Sequence, residues 1–349
     1  MIADEVDYVI GVDTYRDEHV LAAVTAPTGA VVAGRTVHAD ATGYRATLRF
    51  AARYADGRRV WAIEGGGSYG AGLARYLAAR GETVLELSRT ARSERRLGGK
   101  DDALDAARTA RAALATTTRA LPRAGQRREA LRLLLLARRS AIDVRREALA
   151  QLRAVIVTAP DELRQELRGL PLGKLLDRCR RLRQTRSGTA DELATRLVLR
   201  SLALRITTAT SEAEELEREL LGHVRALAPR LLDEPGVGPV VAAQLIVSWS
   251  HRGRLCSEAC FARLAGVAPV PASSGQTQRH RLSRGGDRQL NRALHTIVLH
   301  RRQHDPATKD YIAQPTAEGK SRRDATRLLK RYLARHLYRI LEQQQPLIT

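Results

Sequence analysis

Residues 8–13 read YVIGVD, residues 19–26 read HVLAAVTA and residues 31–37 read VVAGRTV. These runs are rich in β-branched residues, and the connections between them are short, with a Thr-Gly turn at positions 28 and 29. Tight turns join strands that run in opposite directions, so this pattern is typical of consecutive antiparallel strands. The sequence therefore predicts that a three-stranded meander opens the chain.

Helical and strand patterns alternate after this meander. Residues 43–55 (GYRATLRFAARYA) and 69–81 (YGAGLARYLAARG) have helical spacing, whereas residues 60–65 (VWAIEG) and 83–88 (TVLELS) have the apolar content of buried strands. Residues 101–115 (DDALDAARTARAALA) have a strongly amphipathic helical pattern. A meander followed by alternating helices and strands predicts a mixed α/β sheet.

The rest of the chain has helical patterns almost throughout. Residues 126–157 and 211–227 place Leu, Ala, Arg and Glu at helical spacing, which predicts two long antiparallel helices. Residues 159–189, between them, are punctuated by Pro and Gly and predict a connection or a small helical insert.

The predicted fold class is α/β plus α, because a sheet-forming region precedes a helical one. We expect an α/β domain over residues 1–118, a helical coiled-coil spacer over residues 119–230 and a mostly helical domain over residues 231–349. A chain of 349 residues is also longer than one ordinary hydrophobic core requires.

Basic residues far outnumber acidic ones. The chain has 59 Lys and Arg against 38 Asp and Glu, a formal net charge of +21, which points to a polyphosphate partner such as nucleic acid. A GC-rich genome would explain why Arg outnumbers Lys, but not the excess of positive charge. The three cysteines lack the spacing of a disulfide framework or a zinc site. With no leader or membrane-length apolar run, we expect a cytoplasmic, nucleoid-associated protein without a membrane segment.

Acidic residues occupy the ends of two predicted strands and one face of the following helix. Asp13 ends the first strand and Glu64 ends the fourth, and neighbouring parallel strands would bring them together. Asp102 and Asp105 are three residues apart, so both side chains emerge on one helical face. Asp101 competes with Asp102, and we interpret Asp101 as a helix cap. Such carboxylates hold the Mg²⁺ ions that assist phosphodiester cleavage.

Each acid also has an ordinary structural explanation. Asp13 could be a turn residue, Asp102 a helix cap and Asp105 a solvated charge. The joint arrangement, with strand-end acids after a meander and an Asp-x-x-Asp helix closing the domain, favours a metal site. This layout is typical of the RNase H/RuvC-like mixed-sheet fold.

A loop over residues 268–287 (APVPASSGQTQRHRLSRGGD) combines a Ser-Gly step with clustered arginines. The hydroxyl of Ser274, beside Gly275, could approach a phosphate closely, and guanidinium groups would stabilise the charge of a phosphoserine intermediate. A phosphate-binding loop without covalent chemistry is the alternative. The basic residues expected to bind nucleic acid here are Arg279, Arg281, Arg284 and Arg288.

Two further segments could contact phosphates. Residues 234–246 (EPGVGPVVAAQLI) resemble one hairpin of a helix-hairpin-helix unit, although a tight helix connection explains them equally well. Residues 321–341 form a basic amphipathic pattern that includes Lys330 and Arg331, which either follow a phosphate backbone or form a solvated face.

These motifs together resemble the insertion-sequence transposases that have an N-terminal RuvC-like DEDD domain and a C-terminal serine-bearing transposase domain, a family of bridge-RNA-guided recombinases. Residues 126–230 do not match that family at residue level. The matching stretches are VIGVD, WAIEGGGSYGAGLARYLAARG, GKDDALDAARTAR, PGVGPVVAAQL, FARLAGVAPVPASSGQTQRHRLSRGGDRQLNRALH and EGKSRRDATRLLKRYLARHLY.

The resemblance implies specific residues and partners. The catalytic serine of the family directly precedes a glycine and falls on Ser274, although Ser273 beside it leaves the register open. The family also implies Mg²⁺, donor and target DNA, a noncoding bridge RNA and a homo-oligomer, either a dimer or a tetramer. The family's metal ligands fall on Asp13, Glu64, Asp102 and Asp105.

The function expected from this resemblance is transposition, in which DNA is cut and rejoined through a phosphoserine intermediate. A metal-dependent, Holliday-junction resolvase-like nuclease would use the four acids alone and is the first alternative. The second is a noncatalytic nucleic-acid-binding or scaffolding protein from a decayed element.

Overall fold

A computed structural model describes residues 1–87, 102–117, 121–183, 188–271, 280–281, 285–317 and 321–343. At positions 102, 271, 280, 281, 315 and 316 only the backbone is described. The chain divides into two compact units. Unit 1 comprises Met1–Ala124 and Ser250–Cys256, and unit 2 comprises Gly125–Trp249 and Ser257–Thr349. The three-segment division expected from the sequence stays a prediction.

Unit 1 is built on a mixed five-stranded sheet. Its strands are β1 Tyr8–Thr14, β2 Glu18–Thr25, β3 Val31–His38, β4 Arg59–Glu64 and β5 Val84–Leu87. Their order in the sheet is β3-β2-β1-β4-β5. β2 is antiparallel to both β1 and β3, whereas β4 is parallel to both β1 and β5. The predicted meander and mixed sheet are therefore confirmed.

Helices cover both faces of this sheet. They are α1 Ala41–Tyr54, α2 Ala71–Ala78 and α3 Asp102–Leu114. On one face, Trp61 of β4 packs with Phe50 of α1 and Leu73 of α2. On the other face, Ala62 packs with Ala110 of α3. Because successive strand residues point to opposite faces, the apolar central strands are buried on both sides.

Two long helices of unit 2 form an antiparallel pair. They are α4 Gln126–Thr158 and α7 Ala190–Leu227, with the short helices α5 Asp161–Leu167 and α6 Leu172–Arg180 between them in the chain. The guanidinium of Arg138 lies 2.9 Å from the carboxylate of Glu217, and Leu152 packs with Leu199. Early residues of α4 therefore contact late residues of α7, which confirms the predicted antiparallel pair and its helical insert.

The last part of unit 2 is a group of helices around α8. Its elements are α8 Pro239–Trp249, α9 Glu258–Leu264, β6 Val270–Pro271, β7 His280–Arg281, α10 Arg288–His304, α11 Pro306–Ala317 and α12 Arg322–Gln343. α8 packs on α4, α7 and α10, and α9 packs on α12. The C-terminal region is mostly helical, as predicted, and the β6–β7 pair is an addition that the sequence pattern did not reveal.

Helix starts coincide with typical capping residues. The carboxylate of Asp40 accepts a hydrogen bond from the backbone N–H of Gly43 (2.7 Å) at the start of α1. At the start of α7, the Thr189 hydroxyl accepts from the N–H of Glu192 (3.3 Å), and the Glu192 carboxylate accepts from the N–H of Thr189 (3.1 Å). These reciprocal bonds satisfy N–H groups that have no partner inside the helix.

Membrane-spanning length and disulfide pairing can both be assessed in the described ranges. None of the helices there is both long enough and apolar enough to cross a membrane. The three cysteines, all within these ranges, form no disulfide. Burial raises the pKa of the Cys179 thiol to about 11, which keeps it protonated and unreactive.

Candidate metal centre and serine loop

The two acids predicted at the ends of β1 and β4 lie side by side in the sheet. β1 and β4 are parallel neighbours, and Val12 pairs with Ile63, so the next positions along the strands are Asp13 and Glu64. Both acids are partly buried. The Thr14 hydroxyl donates to the backbone carbonyl of Glu64 (2.8 Å) and joins the two strand ends.

Both acids belong to the sheet face that α3 covers. A Cβ atom at Gly11 would lie 2.0 Å from the carbonyl oxygen of Ala106, so β1 and α3 are in direct backbone contact at this glycine. Asp13 follows Gly11 by two residues and therefore points to the same face. Glu64 likewise follows Ala62, which packs on α3.

The first turn of α3 points toward the same end of the sheet. Ala113, in the last turn of α3, packs with Val9 near the start of β1. Ala106, nearer the start of the helix, packs with Val20, the β2 residue paired with the first predicted acid. α3 therefore runs antiparallel to β1, and its first turn, which carries the Asp-x-x-Asp motif, lies toward the two acidic strand ends. The backbone thus brings the predicted ligand positions to one end of one sheet face.

Polar groups of unit 1 contact the acids and orient them. The Tyr15 hydroxyl donates to the carboxylate of Asp13 (2.9 Å). The guanidinium of Arg108 donates to the carboxylate of Asp105 (2.8 Å) from the next turn of α3. These hydrogen bonds fix the orientation of the two carboxylates.

The donor set suits a hard divalent cation, because Mg²⁺ prefers carboxylate oxygens. Among the residues whose side chains are described, no three acidic, histidine or cysteine groups are close enough together to hold a metal ion. The side chain of Asp102 falls outside that set, as does residue 101, the expected cap. Metal binding by the four acids therefore stays a proposal.

The predicted serine loop is described only at its base. There, β6 and β7 pair antiparallel, with Val270 opposite Arg281, whose side chain is not described. The predicted site residues of this loop that lie outside the described residues are Ser273, Ser274, Arg279 and Arg284.

The two ends of this loop are fixed against each other. The N–H of Asp287 donates to the carbonyl of Leu264 (2.7 Å). Gly286 has a φ of +100°, and a Cβ there would lie 2.5 Å from the same carbonyl. Only glycine fits this position without strain, because the backbone is left-handed and closely approached. Leu264, Gly286 and Asp287 therefore form a closed neck at the base of the loop.

Asp287 also connects the neck to two helices. One carboxylate oxygen accepts hydrogen bonds from the N–H groups of Gln289 (2.9 Å) and Leu290 (3.0 Å) and caps α10. The other oxygen accepts from the hydroxyl of Ser248 near the end of α8 (2.6 Å). This role of Asp287 was not predicted from the sequence, although its position just before a helical pattern is typical of a cap.

Lys330, one of the predicted nucleic-acid-binding residues, contacts the loop neck. Its ammonium group donates to the side-chain oxygen of Asn291 (3.1 Å), and the Asn291 amide donates to the carbonyl of Ala265 (2.7 Å). Burial, reinforced by the charge of Arg327, lowers the pKa of Lys330 from its usual value. Lys330 therefore has a structural contact, and its contact with a phosphate stays a prediction.

Other predicted basic residues lie on the surface of unit 2. Arg288 is exposed in the first turn of α10, and Arg331 is partly exposed on α12. On the same helix, Arg335 forms an ion pair with Glu258. Part of the positive charge of α12 is therefore neutralised within unit 2, and nucleic-acid binding by Arg288 and Arg331 stays a prediction.

The turn before α8, which resembles part of a helix-hairpin-helix, is held by hydrogen bonds between charged side chains that were not predicted from the sequence. Glu234 accepts hydrogen bonds from Arg301 (2.7 Å) and His336 (2.8 Å). Burial alone would raise the pKa of Glu234, but these two hydrogen bonds outweigh it and lower the pKa below its usual value. The partners are 67 and 102 residues away in the chain, so local spacing could not reveal them.

Comparisons with known proteins match the same two parts of the chain. A family model of DEDD transposases of the IS110 type, described as "Transposase", matches residues 10–159. A second family model, described as "Transposase IS116/IS110/IS902 family", matches residues 228–313. The first range includes the four acids, and the second includes the serine loop.

A curated relative from Streptomyces coelicolor is named "Insertion element IS110 uncharacterized 43.6 kDa protein". It is 32% identical over 158 residues, which are 44% of this chain and 38% of the relative. The match therefore spans less than half of the relative's length. Two transposase models in the expected order, together with this relative, show that the chain belongs to the IS110 family of insertion-sequence transposases.

Proposed function

We propose that this chain cuts and rejoins DNA as the transposase of an insertion sequence. The observation that carries the proposal is the convergence of β1, β4 and the first turn of α3, because they bring Asp13, Glu64 and the Asp-x-x-Asp motif to one end of one sheet face. These carboxylates would hold Mg²⁺. When bound, the ion would polarise the scissile phosphate and stabilise the developing negative charge.

We assign the nucleophile to Ser274. Its hydroxyl oxygen attacks the phosphorus and loses its proton, and the displaced 3′ oxygen takes up a proton, which leaves a 5′-phosphoserine and a free 3′-hydroxyl. Attack by a second 3′-hydroxyl on the phosphoserine rejoins DNA and returns the proton to serine, without net hydrolysis. Loop arginines would stabilise the charged phosphorus centre, and the hydrogen bond between Asp287 and Leu264 closes the neck of the loop.

A covalent trapping experiment tests this assignment. Full-length protein is incubated with 3′-labelled element-end DNA and Mg²⁺, because the 5′-phosphoserine retains the 3′ end of the cut strand, and the adduct that survives denaturation is measured. Ser274→Ala should abolish the adduct, whereas Ser273→Ala, the matched neighbour, should retain it. An adduct that persists in Ser274→Ala and disappears in Ser273→Ala would move the nucleophile by one residue.

A resolvase-like nuclease is the second candidate, because all four predicted acids belong to unit 1 and could act without the serine. It would activate water instead and release hydrolysed ends. Full cleavage by Ser274→Ala without any adduct would favour this candidate. Loss of cleavage with retained DNA binding in Asp13→Ala would separate both enzymes from a noncatalytic scaffold.

The proposed partners are donor and target DNA, a noncoding bridge RNA and further copies of this chain, in a nucleoid-associated complex. The net charge of +21 supports nucleic-acid partners in general. Sequencing of RNA that copurifies with the protein should recover one transcript from the element's noncoding end. Light scattering of the purified complex should give the mass of a dimer or a tetramer.

A further inference from the structure

Two arginines far apart in the chain lie near Glu86, beside a glycine-rich loop of unit 1. A Cβ atom at Gly67 would lie 3.6 Å from Nη1 of Arg123 and 3.5 Å from Oε1 of Glu86. The guanidinium of Arg254 lies 4.0 Å from the same glutamate. All four residues belong to unit 1. The arginines and the glutamate therefore form one cluster beside the loop that follows β4.

The arginine that arrives from the distant segment is fixed in place. Nε of Arg254 donates to the carbonyl of Leu121 (3.2 Å), and the side chain is only 12% exposed. Four residues before it, the Ser250 hydroxyl accepts a hydrogen bond from the N–H of Ala124 (3.0 Å). Segments 121–124 and 250–256 are thus joined, which keeps the backbone positions of the two arginines together.

Among the described residues of this cluster, positive charge exceeds negative charge, because two guanidinium groups lie near the carboxylate of Glu86. Burial, and then the charge of Arg123, lower the pKa of Arg254 from its usual value. Nε of Arg123 is buried and has no hydrogen-bond partner among the described residues. An unsatisfied buried donor and two close cations both destabilise the protein, and a bound anion would relieve both.

The position of the cluster indicates which anion would bind. The loop beside it, Gly65 to Gly67, directly follows Glu64, a predicted metal ligand. Gly66 and Gly67 have no side chain to cover Glu86 or Arg123. A phosphate bound here would therefore belong to the polymer that reaches the acidic end of the sheet.

We propose that Arg123 and Arg254 together bind a backbone phosphate of the DNA strand on which the acids act, as positioning residues. The inference rests on the proposed function, since that function identifies the polymer as DNA. Paired guanidinium groups suit this task because they offer several fixed N–H donors to phosphate oxygens.

A salt series tests the proposal without requiring catalysis. Binding of full-length protein to a fluorescein-labelled DNA duplex is measured by anisotropy in EDTA over a range of salt concentrations. Arg123→Gln and Arg254→Gln should each weaken binding roughly tenfold and lower the slope of log K against log salt by about 1. Arg49→Gln removes the same charge from an exposed position on α1 and should have a smaller effect on both quantities.

A third variant should change affinity in the opposite direction. Glu86→Gln removes the carboxylate that competes for the two guanidinium groups, so DNA binding should strengthen several-fold. If the arginines only hold the fold together, Glu86→Gln would leave binding unchanged or weaken it, and that result would overturn the proposal. Thermal melting of each variant checks folding, and Glu86→Gln decides the matter even if Arg254→Gln unfolds.

The outcomes separate this inference from the proposed function. If wild type cleaves DNA while Arg123→Gln and Arg254→Gln bind and cleave like wild type, the phosphate site is wrong and the transposase function stands. If no cleavage occurs but the arginine effects on DNA binding remain, the phosphate site stands and the function is wrong. Effects confined to single-stranded RNA of equal length would contradict the assignment to DNA.

Discussion

The acids of unit 1 and the neck of the serine loop in unit 2 are positioned by different means. Asp13 and Glu64 end neighbouring strands of a sheet that is covered on both faces, so pairing register and side-chain alternation determine where they lie. The neck of the serine loop is instead held by long-range hydrogen bonds of Asp287 and Asn291. Regular backbone geometry determines the first arrangement, which is therefore predictable from sequence. Individual side-chain contacts determine the second arrangement, which is not.

The largest expected effect comes from removing one acid at the strand ends. Asp13→Asn should lower DNA cleavage on the order of 10³-fold, because a neutral amide is a much weaker ligand for Mg²⁺. Asp17→Asn is the matched control, since Asp17 is an exposed acid that pairs only with Arg16 in the described contacts. Cleavage assays with labelled DNA measure both variants. Cleavage by Asp13→Asn within tenfold of wild type would contradict a role for the strand-end acid in holding Mg²⁺.

A substitution at the contact between β1 and α3 should have the next largest effect. Gly11→Ala places a Cβ 2.0 Å from a backbone carbonyl of α3, so it should destabilise unit 1 by about 3 kcal/mol and displace the acids of that helix. Gly34→Ala in β3 meets its nearest atom at 3.5 Å, an ordinary contact, and serves as control. Urea unfolding compares the two, and equal stability would show that α3 does not pack as described.

A substitution at the loop neck tests whether the hydrogen bonds there contribute to stability and to adduct formation. Ser248→Ala removes the hydroxyl that donates to Asp287 and should cost about 1–2 kcal/mol, with slower formation of the covalent adduct. Ser211→Ala changes an exposed serine of α7 and should alter neither quantity. If adduct formation is unaffected in Ser248→Ala, the neck bonds do not position the nucleophile.

The smallest expected effect is a pH dependence from His19. This residue of β2 is buried, its ring stacks on Tyr44, and burial lowers its pKa from the usual value. The unfolded chain takes up a proton near pH 6.5 while folded His19 stays neutral, so stability present above about pH 6.5 is lost as the pH falls.

The matched variants for this pH effect are His19→Phe and His38→Phe. His19→Phe keeps a ring beside Tyr44 but cannot be protonated, so its unfolding free energy should fall less than that of wild type between about pH 7.5 and pH 5.5, by up to about 1.4 kcal/mol per pH unit. His38 is exposed, and His38→Phe should behave like wild type. An identical pH dependence in all three proteins would mean that His19 is accessible to water.

Sequence patterns predicted the sheet and the strand-end acids because both follow from local order. YVIGVD and VWAIEG each place an acid directly after an apolar run. The two acids then come together if these two strands are parallel neighbours, as they are. The neck could not be predicted in the same way, since Ser248 and Asp287 are 39 residues apart. The cluster of Arg123, Glu86 and Arg254 likewise depends on segments that meet only after folding.

A metal-directed cleavage experiment tests the central claim, that the four acids hold one metal cluster. Fe²⁺ replaces Mg²⁺ in the full-length protein, and ascorbate with peroxide generates hydroxyl radicals that cut the peptide backbone close to the ion. Mass spectrometry should locate cuts near residues 13, 64 and 102–105 together, suppressed by excess Mg²⁺ and absent from Asp13→Asn. Cuts that fall near only one of these segments, or elsewhere in the chain, would contradict the account.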